Sequence, residues 1–143
     1  MTIRLVTFDL DDTLWHCAPV IAQAEQRLQD WLWQRVPQLG RVTLEQIAQW
    51  KAQVLAQQPQ IAHSVSKVRH QVLLQAFLQA GERGQHAQQC AEEAFQFFLG
   101  ERQRVQPFAE VRPLLQGLRS RGLILAALSN GNADVRRVGL GDC

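Results

Sequence analysis

Asp9 and Asp11 stand two residues apart in the segment Phe8-Asp9-Leu10-Asp11-Asp12-Thr13-Leu14, directly after an apolar run. One carboxylate at the end of a strand can attack phosphorus, because an aspartyl phosphate is a competent covalent intermediate. A second carboxylate close by can give a proton to the leaving group and take one from water. Crowded carboxylates repel a phosphate, so this chemistry calls for a divalent cation, and Mg²⁺ with oxygen ligands suits it. A second polar segment, Ser129-Asn130-Gly131, follows another apolar run. Its hydroxyl and turn amides, backed by a helix N-terminus, could hold transferring phosphoryl oxygens. An acidic turn is commonplace by itself, but the Asp-x-Asp-x-Thr spacing directly after a strand points to a site; Ser-Asn-Gly alone reads as a plain turn, and its pairing with the first motif is what points to function.

Positioning them requires two strands that end side by side. Residues 3–8 read as a short buried strand. Residues 123–128 are apolar at every position, which suits a strand covered on both faces in a parallel sheet. In such sheets ligands bind beyond the carboxyl ends of the strands, so both segments are expected at one edge.

Between the strands the pattern is helical. Val20, Ile21, Ala24, Leu28, Trp31 and Leu32 share a helical face, broken by Pro37 and Gly40. Thr43 with Gln46 makes a capping box for a second helix, with Leu44, Ile47, Val54 and Leu55 as its stripe. Val65, Val68, Val72, Ala76 and Ala80 mark a third, closed by Gly81. Ala87, Cys90, Ala91, Ala94, Phe95, Phe98 and Leu99 mark a fourth, closed by Gly100. Val111, Leu114, Leu115 and Leu118 predict a shorter fifth helix, and residues 132–140 suggest one more.

The segment 8–14 resembles the first motif of the haloacid dehalogenase-like superfamily, and Leu128-Ser129-Asn130-Gly131 resembles its second. The helical block is similar in place and character to that family's helical cap. The stretch 129–135, with Gly139-Leu140-Gly141-Asp142, is similar to a bacterial subgroup active on 5-amino-6-(5-phosphoribitylamino)uracil, in riboflavin synthesis, and on FMN and sugar phosphates. The resemblance implies an α/β fold: a Rossmann-like core of parallel strands in residues 1–14 and 105–143, with an α-helical cap inserted as residues 15–104. It also implies roles. Asp9 would be nucleophile and Mg²⁺ ligand. Asp11 would be the general acid/base, its main-chain carbonyl reaching the metal. Ser129, with amides near Asn130 and Gly131, would bind the phosphoryl group. Thr13 would brace the loop, and Asp12 would stabilise it.

The family's third motif is a later lysine and its fourth an acidic pair. This sequence has two lysines, Lys51 and Lys67, both in the helical block, and after Ser129 its acids are Asp134 and Asp142. A C-terminally truncated member is therefore expected, and an inactive remnant or binding module is the alternative. A dehalogenase of the same superfamily shares the aspartate nucleophile but needs neither metal nor second acid. In the cap, Trp15, His16, Lys67, Arg69 and His70 are weaker substrate contacts, with a solvated helix face favoured for each. Trp31, Trp33 and Trp50 are expected in the cap's core.

Composition narrows the classes. A formal net charge of +2 gives no electrostatic footprint for nucleic acid or an anionic membrane. The longest apolar run, residues 123–128, is far below a membrane span. Acids follow the N-terminal run at once, unlike a secretory signal. Three scattered cysteines make no disulfide framework, so a reducing cytoplasm is expected; the small phosphorylated substrate is what the resemblance implies.

Overall fold

The computed structural model describes residues 3–142. Its elements run β1 (Leu5–Phe8), α1 (Cys17–Arg35), α2 (Leu44–Gln57), α3 (Val65–Gln79), α4 (Gly84–Arg102), α5 (Val111–Ser120) and β2 (Ile124–Ala127). The chain forms two compact units, residues 1–24 with 99–143, and residues 25–98.

The first unit is built on the parallel pair expected from the two apolar runs. Leu5 pairs with Ile124 and Phe8 with Ala127. Backbone bonds from Ile124 to Arg4 (2.9 Å) and from Leu128 to Phe8 (2.8 Å) continue the ladder at both ends. Asp9 and Ser129 therefore follow adjacent strand ends. Phe8 and Leu125 pack on a core of Leu10, Leu14, Trp15, Val20, Val111, Leu115, Val138 and Leu140. The expectation that both strands are buried does not hold: Leu5 is 51% exposed, Ile124 64% and Leu128 71%. Only one face of the pair meets this core, and alternate side chains point away from it. The expected helix over 132–140 is absent too. Asp134 turns the chain there, its carboxylate accepting the Arg136 amide at 2.9 Å and its carbonyl the amides of Arg137 and Val138. Such side-chain bonds compete with helix formation.

The second unit is helical. Thr43 caps α2 in a full capping box with Gln46, and Ser64 caps α3. α2 and α3 pack together around Val54, Ile61 and Val68. The expected stripes are right in phase but shifted in extent. Leu44 and Val65, each first in its helix, are exposed, while Trp50, Leu73 and Phe77 are buried. Trp33 is half-exposed, and Trp31 stacks on Phe97 at 5.4 Å. α4 does not stop at Gly100 but runs on to Arg102. No described helix is long and apolar enough to cross a membrane.

Candidate active site

The loop after β1 is shaped by Asp12, whose φ of +59° is left-handed, a conformation aspartate tolerates better than most side chains. Its carboxylate then accepts the Cys17 amide at 2.8 Å, so it holds the first turn of α1. The turn is closed by the Leu14 amide to Leu10 (2.8 Å) and the Asp12 amide to Trp15 (2.8 Å). This leaves Asp9 exposed at the strand end, with the Thr13 hydroxyl donating to its Oδ2 at 3.3 Å.

Asp11 is differently placed. Trp15 is fully buried and its indole Nε1 donates to Asp11 Oδ1 at 2.9 Å. Trp15 is thus part of the core and a bracket for Asp11. Arg102 Nη2 donates to Asp11 Oδ2. The Arg102 side chain is 2% exposed and that of Asp11 21%, so this ion pair is shielded far more than an ordinary surface pair. Arg102 also donates through Nε to Asn132 Oδ1 at 2.5 Å. Its Nη1 is buried and meets no acceptor among the described residues.

Arg102 and Gln103 are the two buried polar side chains among the described residues, and both reach the loop after β2. Gln103 donates to the Asn132 carbonyl at 3.0 Å and accepts the Asp134 amide at 2.9 Å. In the same loop the Gly131 amide donates to Ser129 Oγ at 3.1 Å, which leaves the hydroxyl proton for an acceptor. Gly131 passes so close to the acid that a Cβ there would lie 2.6 Å from Asp11 Oδ2, 3.3 Å from Arg102 Nη2 and 3.5 Å from Ser129 Oγ. The acidic loop and the Ser129 loop therefore meet at one point. Arg102 and Gln103 belong to this arrangement, yet in the sequence they lie in a polar stretch with no motif around them.

For a metal, the Asp9 carboxylate is the accessible donor, while both Asp11 carboxylate oxygens already accept hydrogen bonds. Among the described residues no three His, Cys, Asp or Glu gather around one point. The Asp9 carboxylate is a hard oxygen donor of the type that Mg²⁺ accepts beside waters and substrate oxygens.

Of the weaker candidates, Arg69 and His70 are engaged by other side chains. In the helical unit, Arg69 pairs with Glu25 at 2.9 Å and lies 3.8 Å over the Phe98 ring. His70 meets Glu92 at 3.1 Å and packs edge-on to Phe95. Lys67 is exposed. In the strand unit, His16 packs edge-on to Phe108 at 4.7 Å beside an open cavity of about 400 Å³ that Arg104 also lines. Burial, and after it the charge of Asp11, push the Cys17 thiol above its ordinary value. Cys17 should therefore resist iodoacetamide at neutral pH and react only in alkaline buffer. Peptide mapping of the alkylated protein checks this; prompt labelling at neutral pH would contradict the environment described.

Residues 3–142 match the haloacid dehalogenase-like hydrolase family. The chain belongs to the haloacid dehalogenase-like hydrolases. Within that family it is 32% identical over 140 residues to the 5-amino-6-(5-phospho-D-ribitylamino)uracil phosphatase YigB of Escherichia coli K12, covering 98% of this chain and 58% of that protein. A solved 2-haloacid dehalogenase from Pseudomonas syringae pv. tomato DC3000 is 46% identical with a TM-score of 0.86, over 99% of this chain and 61% of that one. The magnesium-bound HAD-hydrolase YfnB of Bacillus subtilis shares the fold at 19% identity and a TM-score of 0.53, over 98% and 60%. The chain thus spans about three fifths of the length of these relatives. Together with the parallel pair and the helical stretch between its strands, they identify the fold as part of a Rossmann-like core with a helical insertion.

Proposed function

We propose that this hydrolase is a Mg²⁺-dependent phosphomonoesterase. Its substrate would be a small phosphorylated metabolite of the flavin-precursor, FMN or sugar-phosphate kind, met in the cytoplasm. The observation that carries the reading is the meeting of the Asp11 carboxylate, the Arg102 guanidinium and Ser129 Oγ at Gly131, with Asp9 exposed at the end of the neighbouring strand. The name of the E. coli relative supports the substrate class.

In this reading Asp9, exposed at the strand end, attacks phosphorus and becomes an aspartyl phosphate. Asp11 gives the leaving group its proton and later takes one from the attacking water. Once that first proton has passed to the leaving group, the carboxylate has about four acceptor positions, so its bonds to Trp15 and Arg102 leave it capacity to take the proton of the attacking water. Ser129 donates its hydroxyl proton to a phosphoryl oxygen, with amides around Asn130 and Gly131 beside it. Asp9 and the Asp11 main-chain carbonyl would hold Mg²⁺, which offsets charge between carboxylate and phosphoryl oxygens. Residues 15–104 are read as the cap. Both lysines belong to the helical unit and neither to the strand unit, so turnover by these residues alone should be slow.

The test is phosphate release from p-nitrophenyl phosphate. EDTA should stop it and Mg²⁺ restore it; undiminished release without metal would overturn the metal requirement. A dehalogenase is the second reading. It is favoured by the 46% identity to the solved 2-haloacid dehalogenase and by the occupied Asp11 carboxylate, since that chemistry needs no second acid. Chloride release from 2-chloropropionate, with no phosphate release from esters, would establish it instead.

A further inference from the structure

We infer that Arg102 is a positioning residue: it fixes the Asp11 carboxylate and the Ser129–Asn132 loop in one geometry, a role that rests on the proposed acid/base work of Asp11. A guanidinium is a planar fork of donors, able to serve two acceptors at a set angle. Here one arm, Nη2, holds Asp11 Oδ2 and the neighbouring Nε holds Asn132 Oδ1. The two acceptors come from loops after different strands, with all five helices between them in the chain. Trp15 holds the other carboxylate oxygen, so Asp11 is gripped from both sides. Gln103, the next residue, ties the same loop through the Asn132 carbonyl and the Asp134 amide. Burial keeps water from competing for these bonds, and Nη1, equally buried, meets no acceptor among the described residues.

The experiment compares wild type with Arg102→Met, Arg102→Lys and Asn132→Ala. Kinetics with p-nitrophenyl phosphate and Mg²⁺ are paired with ¹H–¹⁵N spectra of the tryptophan indoles. Arg102→Met should lower kcat on the order of 10²-fold, the scale of a misplaced reacting group, with KM changed less than about threefold. Arg102→Lys, which keeps the charge but cannot hold both loops, should recover only part of it. The Trp15 indole N–H signal, assigned through Trp15→Phe, should shift in Arg102→Met, while those of Trp31, Trp33 and Trp50 stay in place and report an intact helical unit; well-dispersed backbone amides of β1 and α5 in the same spectra report an intact strand unit. Should Arg102→Met fail to fold, Asn132→Ala removes one arm's acceptor and should lower kcat in the same sense. An unmoved Trp15 signal, or a loss confined to KM, would overturn the inference. If wild type hydrolyses no ester, the phosphatase reading fails, and the Trp15 signal alone decides whether Arg102 holds Asp11.

Discussion

Replacing Asp9 by asparagine is expected to abolish ester hydrolysis, a loss of roughly 10⁴–10⁶-fold on the scale of other removed nucleophiles. A carboxamide has the shape of the carboxylate but does not attack phosphorus. Stability should barely change, within about 0.5 kcal/mol, because Asp9 is exposed and accepts a long bond, 3.3 Å, from the Thr13 hydroxyl. A urea melt beside the kinetics separates the two effects. Wild-type melting with activity lost assigns Asp9 to the chemistry; activity within tenfold of wild type removes it from the role of nucleophile.

The second large effect is expected from a single methyl group. Gly131→Ala would bring a Cβ to 2.6 Å from Asp11 Oδ2, closer than real Cβ atoms come, and to 3.3 Å from Arg102 Nη2. Either the loop or the ion pair must shift. Turnover should fall on the order of 10²-fold, and stability by about 1–3 kcal/mol, as for other overpacked sites. Gly117→Ala is the matched control: it lies in α5 and a Cβ there meets nothing within 4 Å. It should be neutral or stabilising by roughly 0.5–1 kcal/mol. Kinetics and denaturant melts of both variants check this, and a Gly131→Ala protein indistinguishable from wild type would mean that the two loops are less closely set than described.

What is legible in the sequence is local. The apolar runs before Asp9 and Ser129 foretell the parallel pair, because short apolar runs ending in polar clusters are a strand pattern. Thr43 and Gln46 foretell the start of α2, because both partners of a capping box lie within one turn. Burial is less legible. Apolar content alone suggests that Leu5, Ile124 and Leu128 are covered, but coverage depends on what packs against each face. Gly100 has the look of a helix end, yet α4 continues through it, since glycine weakens a helix without forbidding it. The turn at Asp134 has helical apolar spacing around it, and the competing side-chain bond leaves no mark in that spacing.

The site is half legible for the same reason. Asp9, Asp11 and Ser129 carry recognisable spacing. Arg102 and Gln103 do not: their partners Asp11, Asn132 and Asp134 lie 91, 30 and 31 positions away. A buried arginine inside a polar, glutamine-rich stretch looks in one dimension like a solvated helix end. Trp15 looks like a substrate contact from its place beside the motif, but a residue that follows a strand-end loop is as well placed to enter the core.

Whether Asp9 attacks the substrate is decided by quenching a single turnover in acid, with Mg²⁺ and a reactive phosphate ester, and weighing the peptides. The peptide containing Asp9 should gain the mass of one phosphoryl group, the gain should be lost on treatment with hydroxylamine, and Asp9→Asn should show none. A phosphoryl group carried on any other residue, or hydrolysis with no phosphorylated peptide at any time during the turnover, would contradict the assignment.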